Sequence, residues 1–166
     1  TLDRSSAASV VYKRQLSMLE PRVKACFEAG AIATGAILDV QPLGPPYSEF
    51  VHDHDLIGKY RKNAESLGRV FSPPSTKVAG STDMANVSLL MPTIHPMLGL
   101  DSGTAVNHQP EFAAYCRTPD ADRAAVEGAL AMALTAVDAA SDDETRTRLL
   151  GHKTSYSEIG EYPWSF

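Results

Sequence analysis

The stretch GSTDMANVSLLMPTIHPMLGLDSGTAVNHQPEF, residues 80–112, decides how the rest of this sequence is interpreted. It opens with small and turn-forming residues. Thr82 or Asp83 can cap a short helix over residues 84–90, because each side chain accepts a hydrogen bond from a free backbone N–H group. Pro92 is expected to end that helix, since proline offers no N–H group to continue it.

The second half of this stretch predicts a strand followed by a polar loop. Residues 93–100 are mainly apolar and are interrupted by His95, which indicates a buried strand. A polar turn at residues 101–104 leads to Asn107 and His108, and a proline then begins the next helix. Chemically useful side chains therefore lie at segment ends and in loops, where protein sites are usually built.

Composition limits the class of protein. The chain has 166 residues, of which 43% are hydrophobic and 21% charged, as in an ordinary globular domain with a core. Its net charge is −5, so nucleic acid is not an expected partner. No apolar run reaches the roughly 18 residues needed to span a membrane. Cys26 and Cys116 form no disulfide framework, which favours the cytoplasm.

The first forty residues predict a helix and a strand. Residues 1–15 have no clear periodicity, and their VVYKRQ tract resembles a translated sequencing adapter, so we expect them to be disordered or artefactual. Ser17 and Glu20 form a capping-box pattern that opens a helix ending at Gly35. Residues 36–40 then predict a strand. One helix and one strand cannot bury their own apolar face, so a partner is expected.

A break at residues 42–46, rich in proline and glycine, is the predicted domain boundary. Asp53 or Asp55 then caps a second helix, which Gly68 ends, and a further strand begins at Val70 and Phe71. The predicted apolar stripe of this helix consists of Leu56, Ile57, Tyr60, Ala64 and Leu67.

Two further helices are predicted near the C-terminus. Thr118 and Pro119 form the cap and first turn of a long, alanine-rich helix. Its predicted buried stripe consists of Val126, Leu130, Ala133, Leu134 and Val137. Ser141 and Glu144 form a capping box that opens the last helix.

Three polar residues of the central stretch each have a structural and a functional interpretation. His108 is either a structural histidine or a metal ligand, since neutral imidazole is the commonest metal ligand in proteins. His95 is either a buried histidine bonded to a carbonyl group or part of a site. Asp83 is either a helix N-cap or a site residue.

The run His52-Asp53-His54-Asp55 resembles a metal cluster, but its alternation argues against one. In a strand the two histidines would share one face and the two aspartates would face away. A solvated helix cap is the favoured interpretation, so replacing His52 or His54 by alanine should have little effect. The sequence has no glycine-rich phosphate loop, nucleophile elbow or paired Cys-x-x-Cys motif.

Three motifs, in order, carry a resemblance to a known family. Residues 80–88, 92–96 and 107–112 resemble the C-terminal part of a zinc amidohydrolase family that includes aminoacylases, glutamate carboxypeptidases, aminobenzoyl-glutamate hydrolases and related dipeptidases. The pattern is most similar to the aminobenzoyl-glutamate hydrolase and β-alanyl dipeptidase branch. The resemblance covers roughly residues 16–140 and departs at Ala85, where glycine is usual.

The resemblance implies an α/β fold and a protein of two domains. In that family a catalytic domain is interrupted by a ferredoxin-like lid that commonly dimerises, and the enzyme holds two zinc ions. Residues 16–46 would be the last helix and strand of the lid. Residues 47–150 would be the C-terminal part of the catalytic domain, and residues 151–166 a C-terminal tail.

The resemblance also implies roles for individual residues. His108 matches the family's last metal ligand, while Asp83, His95 and Asn107 would line or support the substrate site. The general base and the other metal ligands would lie upstream, so the chain is interpreted as a fragment that is inactive alone. The alternative is a non-catalytic interaction module, in which residues 17–41 complete a partner's sheet.

Overall fold

The structure, a computed structural model, describes residues 3–41, 47–71 and 81–152. Regular structure in these residues consists of helices α1 (Asp3–Thr34), α2 (His54–Ser66), α3 (Met84–Ser88), α4 (Pro110–Tyr115), α5 (Pro119–Ser141) and α6 (Asp143–Gly151). The predicted break at residues 42–46 lies outside the described residues, as do residues 153–166 of the predicted tail.

The described residues belong to two compact units. The first contains residues 3–41, 47–51 and 81–90, and the second contains residues 52–71 and 91–152. In the first unit the segment before α2 is bound to α3 by hydrogen bonds. The Ser48 backbone N–H donates to Asn86 Oδ1 at 2.7 Å, and the Val51 N–H donates to Ser88 Oγ at 2.9 Å.

Helix α1 begins earlier than the sequence predicts. It runs without interruption from Asp3, so residues 3–15 are helical, and Ser17 lies inside the helix rather than at its cap. Pro21 is also inside the helix. A Ser-x-x-Glu pattern can also lie inside a helix, because a serine there destabilises the helix by only a few tenths of a kcal/mol relative to alanine.

The predicted end of α1 at Gly35 is confirmed. Gly35 has a φ of 72°, a left-handed conformation that glycine adopts without a steric penalty. The Ala36 N–H then donates to the Ala31 carbonyl at 3.0 Å, which is the long bond of a Schellman motif.

The described residues contain no strand at the three places where the sequence predicts one. Residues 36–40, 70–71 and 93–100 lack strand structure. Ile37 is 97% exposed, and of residues 93–100 only Thr93 is buried. A strand depends on hydrogen bonds to a neighbouring strand, and none adjoins these residues in the described parts of the chain. The α/β class stays a prediction for the complete protein.

Helix α2 is confirmed as predicted. Asp53 is its N-cap and accepts a hydrogen bond from the Leu56 N–H at 3.0 Å. Gly68 follows its end with a φ of 87°. Of the predicted stripe, Tyr60 and Ala64 are buried and the other three members are half-buried.

Helix α5 buries a face that differs from the predicted one, and part of this face packs against α2. The buried face consists of small residues: Ala124, Gly128, Ala131, Thr135 and Ala139. The predicted stripe is wrong, because Val126 is 68% exposed and Val137 is 59% exposed. Small side chains let the two helices approach closely, and Ala131 joins Tyr60 and Ala64 of α2 in one core cluster.

Length and composition make α5 a candidate membrane span, although the sequence predicted none. Only 28% of its most apolar window is buried inside the structure. A helix that forms part of a protein core can have the same length and composition. Small residues of α5 pack against α2, and such close helix–helix packing is typical of helices in a protein core.

The caps of the last two helices follow local side-chain chemistry. Thr118 caps α5 as predicted, accepting from the Ala121 N–H at 3.3 Å. The α6 cap is Asp142 rather than Ser141, which lies in the last turn of α5. Asp142 Oδ1 accepts from the backbone N–H groups of Glu144 and Thr145, at 3.1 and 3.2 Å.

Asp142 predicts an acid-sensitive contact between α6 and α2. A hydrogen bond from Lys59 Nζ at 2.8 Å and the cap bond from Thr145 lower the pKa of Asp142 to about 2. A depressed carboxyl pKa contributes stability that is present above the unfolded value, near 4, and is lost as pH falls through the folded value. We expect the unfolding free energy to decrease from pH 4 to 2, as measured by urea titration.

Two variants test this contribution. Asp142→Asn retains a good capping residue but has no carboxyl group, and Lys59→Met removes the partner amine. Both should make the unfolding free energy less dependent on pH between 4 and 2. An unchanged pH profile in both variants would show that the Asp142 carboxylate does not stabilise this contact.

Candidate functional site

The four site residues that the sequence predicts all have exposed side chains. Asp83 belongs to the first unit, while His95, Asn107 and His108 belong to the second. Asp83 occupies the N-cap position of α3, as its structural interpretation predicts, but its side chain makes no cap hydrogen bond. The Met84 N–H donates instead to Thr82 Oγ1 at 3.3 Å. His95 is exposed rather than buried in a strand.

His108 is distinguished by its backbone. Among the described residues it alone combines a side chain with a positive φ, of 64°. Such a conformation is uncommon for any residue other than glycine, and it is most often found at turns and functional sites. Pro110 begins α4 two residues later, as predicted, so His108 lies in a tight turn just before a helix.

The loop that leads to His108 is bound to the start of α5. The Asp101 N–H donates to Asp120 Oδ2 at 3.0 Å. Within the loop, the Ala105 N–H donates to the Ser102 carbonyl at 2.9 Å, and Gly103 has a φ of 54°. The predicted polar turn is thus present, and it gives the segment that carries Asn107 and His108 a defined start.

The described residues do not assemble a metal centre by themselves. No group of three or more His, Cys, Asp or Glu side chains among them could hold a metal ion. An exposed imidazole such as His108 can supply one ligand. Zinc binding at His108 therefore stays a prediction, and it requires ligands beyond the described residues.

The aspartates of the His52–Asp55 run form hydrogen bonds with side chains of α6. Asp53 accepts from both terminal nitrogens of Arg148, at 2.5 and 3.1 Å. Asp55 Oδ2 accepts from Thr145 Oγ1 at 2.7 Å and from Arg148 at 3.1 Å. These contacts fix the start of α2 against α6.

These contacts also lower the pKa values of both aspartates. Partial burial acts to raise the pKa of Asp53, but the hydrogen bonds from Arg148 and Leu56 outweigh it and the net pKa is lowered. The hydrogen bond from Thr145 is the main cause that lowers the pKa of Asp55. Both groups stay ionised near neutral pH and hold the Arg148 guanidinium.

The structure brings His95 to a cavity that also contains His52. This His52–His95 cavity has a volume of about 330 Å³. Its lining residues are His52, Ile57, Tyr60, Arg61, Phe71, Ile94, His95, Pro96 and Met97. The segments that carry the two histidines are joined by a hydrogen bond from the Asp53 N–H to the Thr93 carbonyl at 3.1 Å.

Aromatic packing builds one wall of the cavity. The rings of Tyr60 and Phe71 meet edge to face, with centroids 6.4 Å apart and planes at 81°. The Arg61 guanidinium lies 5.1 Å from the centroid of the Phe71 ring, and its Nε is 3.1 Å from Glu65 Oε1. Burial raises the pKa of Tyr60, so its hydroxyl group stays neutral.

His52 is electrostatically coupled to the other histidines. Partial burial lowers its pKa, and the nearby imidazoles of His54 and His95 lower it further. His52 is therefore mainly neutral at neutral pH. The sequence pattern places His52 in a solvated helix cap, and no local signal indicates that it shares a cavity with His95.

Comparison with known proteins relates this chain to dipeptidase-type hydrolases. It is 30% identical over 128 residues to the mouse and human Xaa-Arg dipeptidases, a match that covers 75% of this chain. The match covers 30% of the mouse protein and 29% of the human protein, so the chain spans about a third of the relatives' length. No protein-family model matches the chain, and no solved structure matches it.

Proposed function

We propose that the chain is the C-terminal portion of a cytoplasmic, metal-dependent amidohydrolase that cleaves the amide bond of a dipeptide or an N-acyl amino acid. The 128-residue similarity to Xaa-Arg dipeptidases carries this proposal. It agrees with the resemblance of the three motifs between residues 80 and 112. The fold that we propose for the complete protein is an α/β catalytic domain with a ferredoxin-like lid.

His108 is the proposed zinc ligand. Its imidazole is exposed in a strained turn, so it is accessible to ligands that other parts of the enzyme would supply. When bound, zinc supplies a Lewis acid that polarises the amide carbonyl and lowers the pKa of the attacking water. In the complete enzyme two zinc ions are proposed. The substrate is proposed to contact Asp83, His95 and Asn107.

The substrate class that we propose follows from two similarities. The motifs resemble those of the aminobenzoyl-glutamate hydrolase and β-alanyl dipeptidase branch. The relatives are named for dipeptides that end in arginine. A test panel should therefore contain acyl-glutamates, β-alanyl dipeptides and Xaa-Arg dipeptides.

We expect the 166-residue chain to bind zinc weakly and to hydrolyse none of these compounds. A catalytic zinc usually takes three protein ligands, and this chain offers one residue that matches the family's ligand set. Purified chain with added zinc is assayed against the panel, with a full-length relative as the positive control. Zinc-dependent turnover by the chain that His108→Ala removes would contradict the proposal of an incomplete site.

A second candidate function is supported by the exposed face of α1. Leu19, Val23 and Phe27 follow one another at four-residue spacing and are 49%, 51% and 60% exposed. We propose that residues 16–46 form a homodimer contact. If the protein is instead a non-catalytic interaction module, the same face would bind its partner. Sedimentation velocity measures the association, and metal content of the full-length protein separates the two functions.

A further inference from the structure

We infer that four charged side chains are positioning residues for the loop that carries His108. They come from the segment after α2 and from the first half of α5, and we call them the charged cluster: Arg69, Asp120, Arg123 and Glu127. The cluster binds residues 99–101, where the loop begins. The inference rests on the proposed function only where it takes His108 as a zinc ligand, and the order of the loop can be measured without metal.

The charged cluster binds the loop at two backbone groups. Arg69 Nη1 donates a hydrogen bond to the Gly99 carbonyl at 3.0 Å. Two residues later, the Asp101 N–H donates to Asp120 Oδ2 at 3.0 Å. The hydrogen bond from Asp101 is the main cause that lowers the pKa of Asp120. Because one partner in each bond is ionised, both bonds are stronger than a bond between two neutral groups.

The members of the cluster also bind one another. Arg69 Nε lies 2.7 Å from Glu127 Oε2, which joins the segment after α2 to α5. Glu127 Oε1 lies 4.0 Å from Arg123 Nε, and Arg123 Nη2 donates to Asp120 Oδ1. The side chains of Arg69 and Glu127 are only 22% and 25% exposed, so solvent screens this ion pair less than an exposed pair. Each side chain that binds the loop is therefore held in place by a second charged side chain.

An apolar contact lies directly before the two bound backbone groups. The Leu98 side chain lies over Gly128, where an added β-carbon would stand 2.3 Å from Leu98 Cδ1. Gly128 belongs to the buried face of α5, so its lack of a side chain leaves room for Leu98. The start of the loop is thus held on α5 by apolar packing as well as by charge.

The turn after these contacts extends the restraint towards His108. The Ala105 N–H donates to the Ser102 carbonyl at 2.9 Å, and Ser102 Oγ donates to the Ala105 carbonyl at 3.2 Å. Gly103 lies beside α4, since a β-carbon there would stand 3.3 Å from Tyr115 Oη. Only two residues separate this closed turn from His108. A metal ligand needs such support, because its position has to be kept within about 0.5 Å of the productive geometry.

The experiment measures backbone order parameters of the 166-residue chain by ¹⁵N NMR relaxation without metal. In the unmodified chain, residues 99–105 should be as ordered as α5, with order parameters of about 0.85. Arg69→Gln removes the charge that faces Glu127 and the bond to Gly99. It should lower the order parameters of the loop below about 0.6, while those of α5 stay high. Asp120→Ala removes the second bond and should also lower the values of the loop.

Arg61→Gln is the matched control, because Arg61 lies on α2 and is paired with Glu65 at 3.1 Å. It makes the same chemical change in the same unit and should leave the loop ordered. Unchanged order of the loop in both Arg69→Gln and Asp120→Ala would overturn the inference. An equal loss of order in the loop and in α5 would also overturn it, because Arg69 would then only stabilise the fold as a whole.

The full-length enzyme links the order of the loop to metal binding. Loss of a residue that orients a metal ligand typically costs about 10–100-fold in affinity or activity, so Arg69→Gln should lower zinc affinity at least about tenfold. Competition with a chelator measures this affinity, and Arg61→Gln should retain it. A less ordered loop with unchanged zinc affinity would support the role of the cluster and count against His108 as the zinc ligand. Failure of the inference and failure of the proposed function therefore give different results.

Discussion

Replacing Ala131 by aspartate is expected to unfold the second unit of the chain. Ala131 is 1% exposed and packs with Tyr60 and Ala64, which are 4% and 1% exposed. An unpaired carboxylate at this contact would lose its hydration and gain no partner, at a cost of several kcal/mol. Domains of this size have a total stability of only about 5–15 kcal/mol, so a loss of this size populates the unfolded state.

Ala133→Asp is the matched control for this substitution. Ala133 lies on the same helix and is exposed, so the change has the same helix-propensity cost, about 0.7 kcal/mol or less, without burial of the charge. Circular dichroism and urea unfolding should show a large loss of stability for Ala131→Asp and a small one for Ala133→Asp. The reverse order would show that α5 packs through the large apolar residues that the sequence pattern favours.

Replacing His108 by alanine in the full-length enzyme is expected to lower its metal content and to reduce kcat/KM by more than about a hundredfold. Loss of partners that only orient metal ligands already costs about 10–100-fold in affinity or activity, and loss of a ligand should cost more. Metal content is measured by elemental analysis after dialysis, and turnover with the dipeptide panel.

Two further variants separate the ligand from the turn. His108 has a φ of 64°, which asparagine tolerates better than most residues, so His108→Asn retains the turn and removes the imidazole. It should lose metal as His108→Ala does, whereas His54→Ala should retain metal. Loss of metal from the His52→Ala/His54→Ala double variant, together with metal retained in His108→Ala, would contradict the assignment of His108.

The ends of most helices were predictable because capping is a local interaction. Gly35 and Gly68 end α1 and α2 in left-handed conformations, and Asp53 and Thr118 accept the first free N–H groups of α2 and α5. Such a contact joins residues three to five positions apart, so a short segment of sequence contains both partners. Ser141 and Asp142 are adjacent and both suit a helix N-cap, so the local sequence alone did not identify Asp142 as the cap of α6.

The resemblance carried by the central stretch also indicated a class of protein. The family that the motifs between residues 80 and 112 resemble implied a hydrolase of amide bonds, and the similarity to dipeptidases over 128 residues agrees with that class. Such a resemblance depends on residue types at fixed spacing, so it can be recognised from the sequence without coordinates. The motif does not indicate which other residues lie beside His95.

Only the tertiary structure decided which helix face is buried and which histidines share a cavity. Both the large stripe of α5 and its row of small residues recur at helical spacing, and the close approach of α2 selects the small row. Likewise His52 and His95 are distant in sequence and meet because α2 and the segment after Thr93 pack together. Periodicity describes one element at a time, whereas burial and proximity depend on the partner that the element meets in the folded chain.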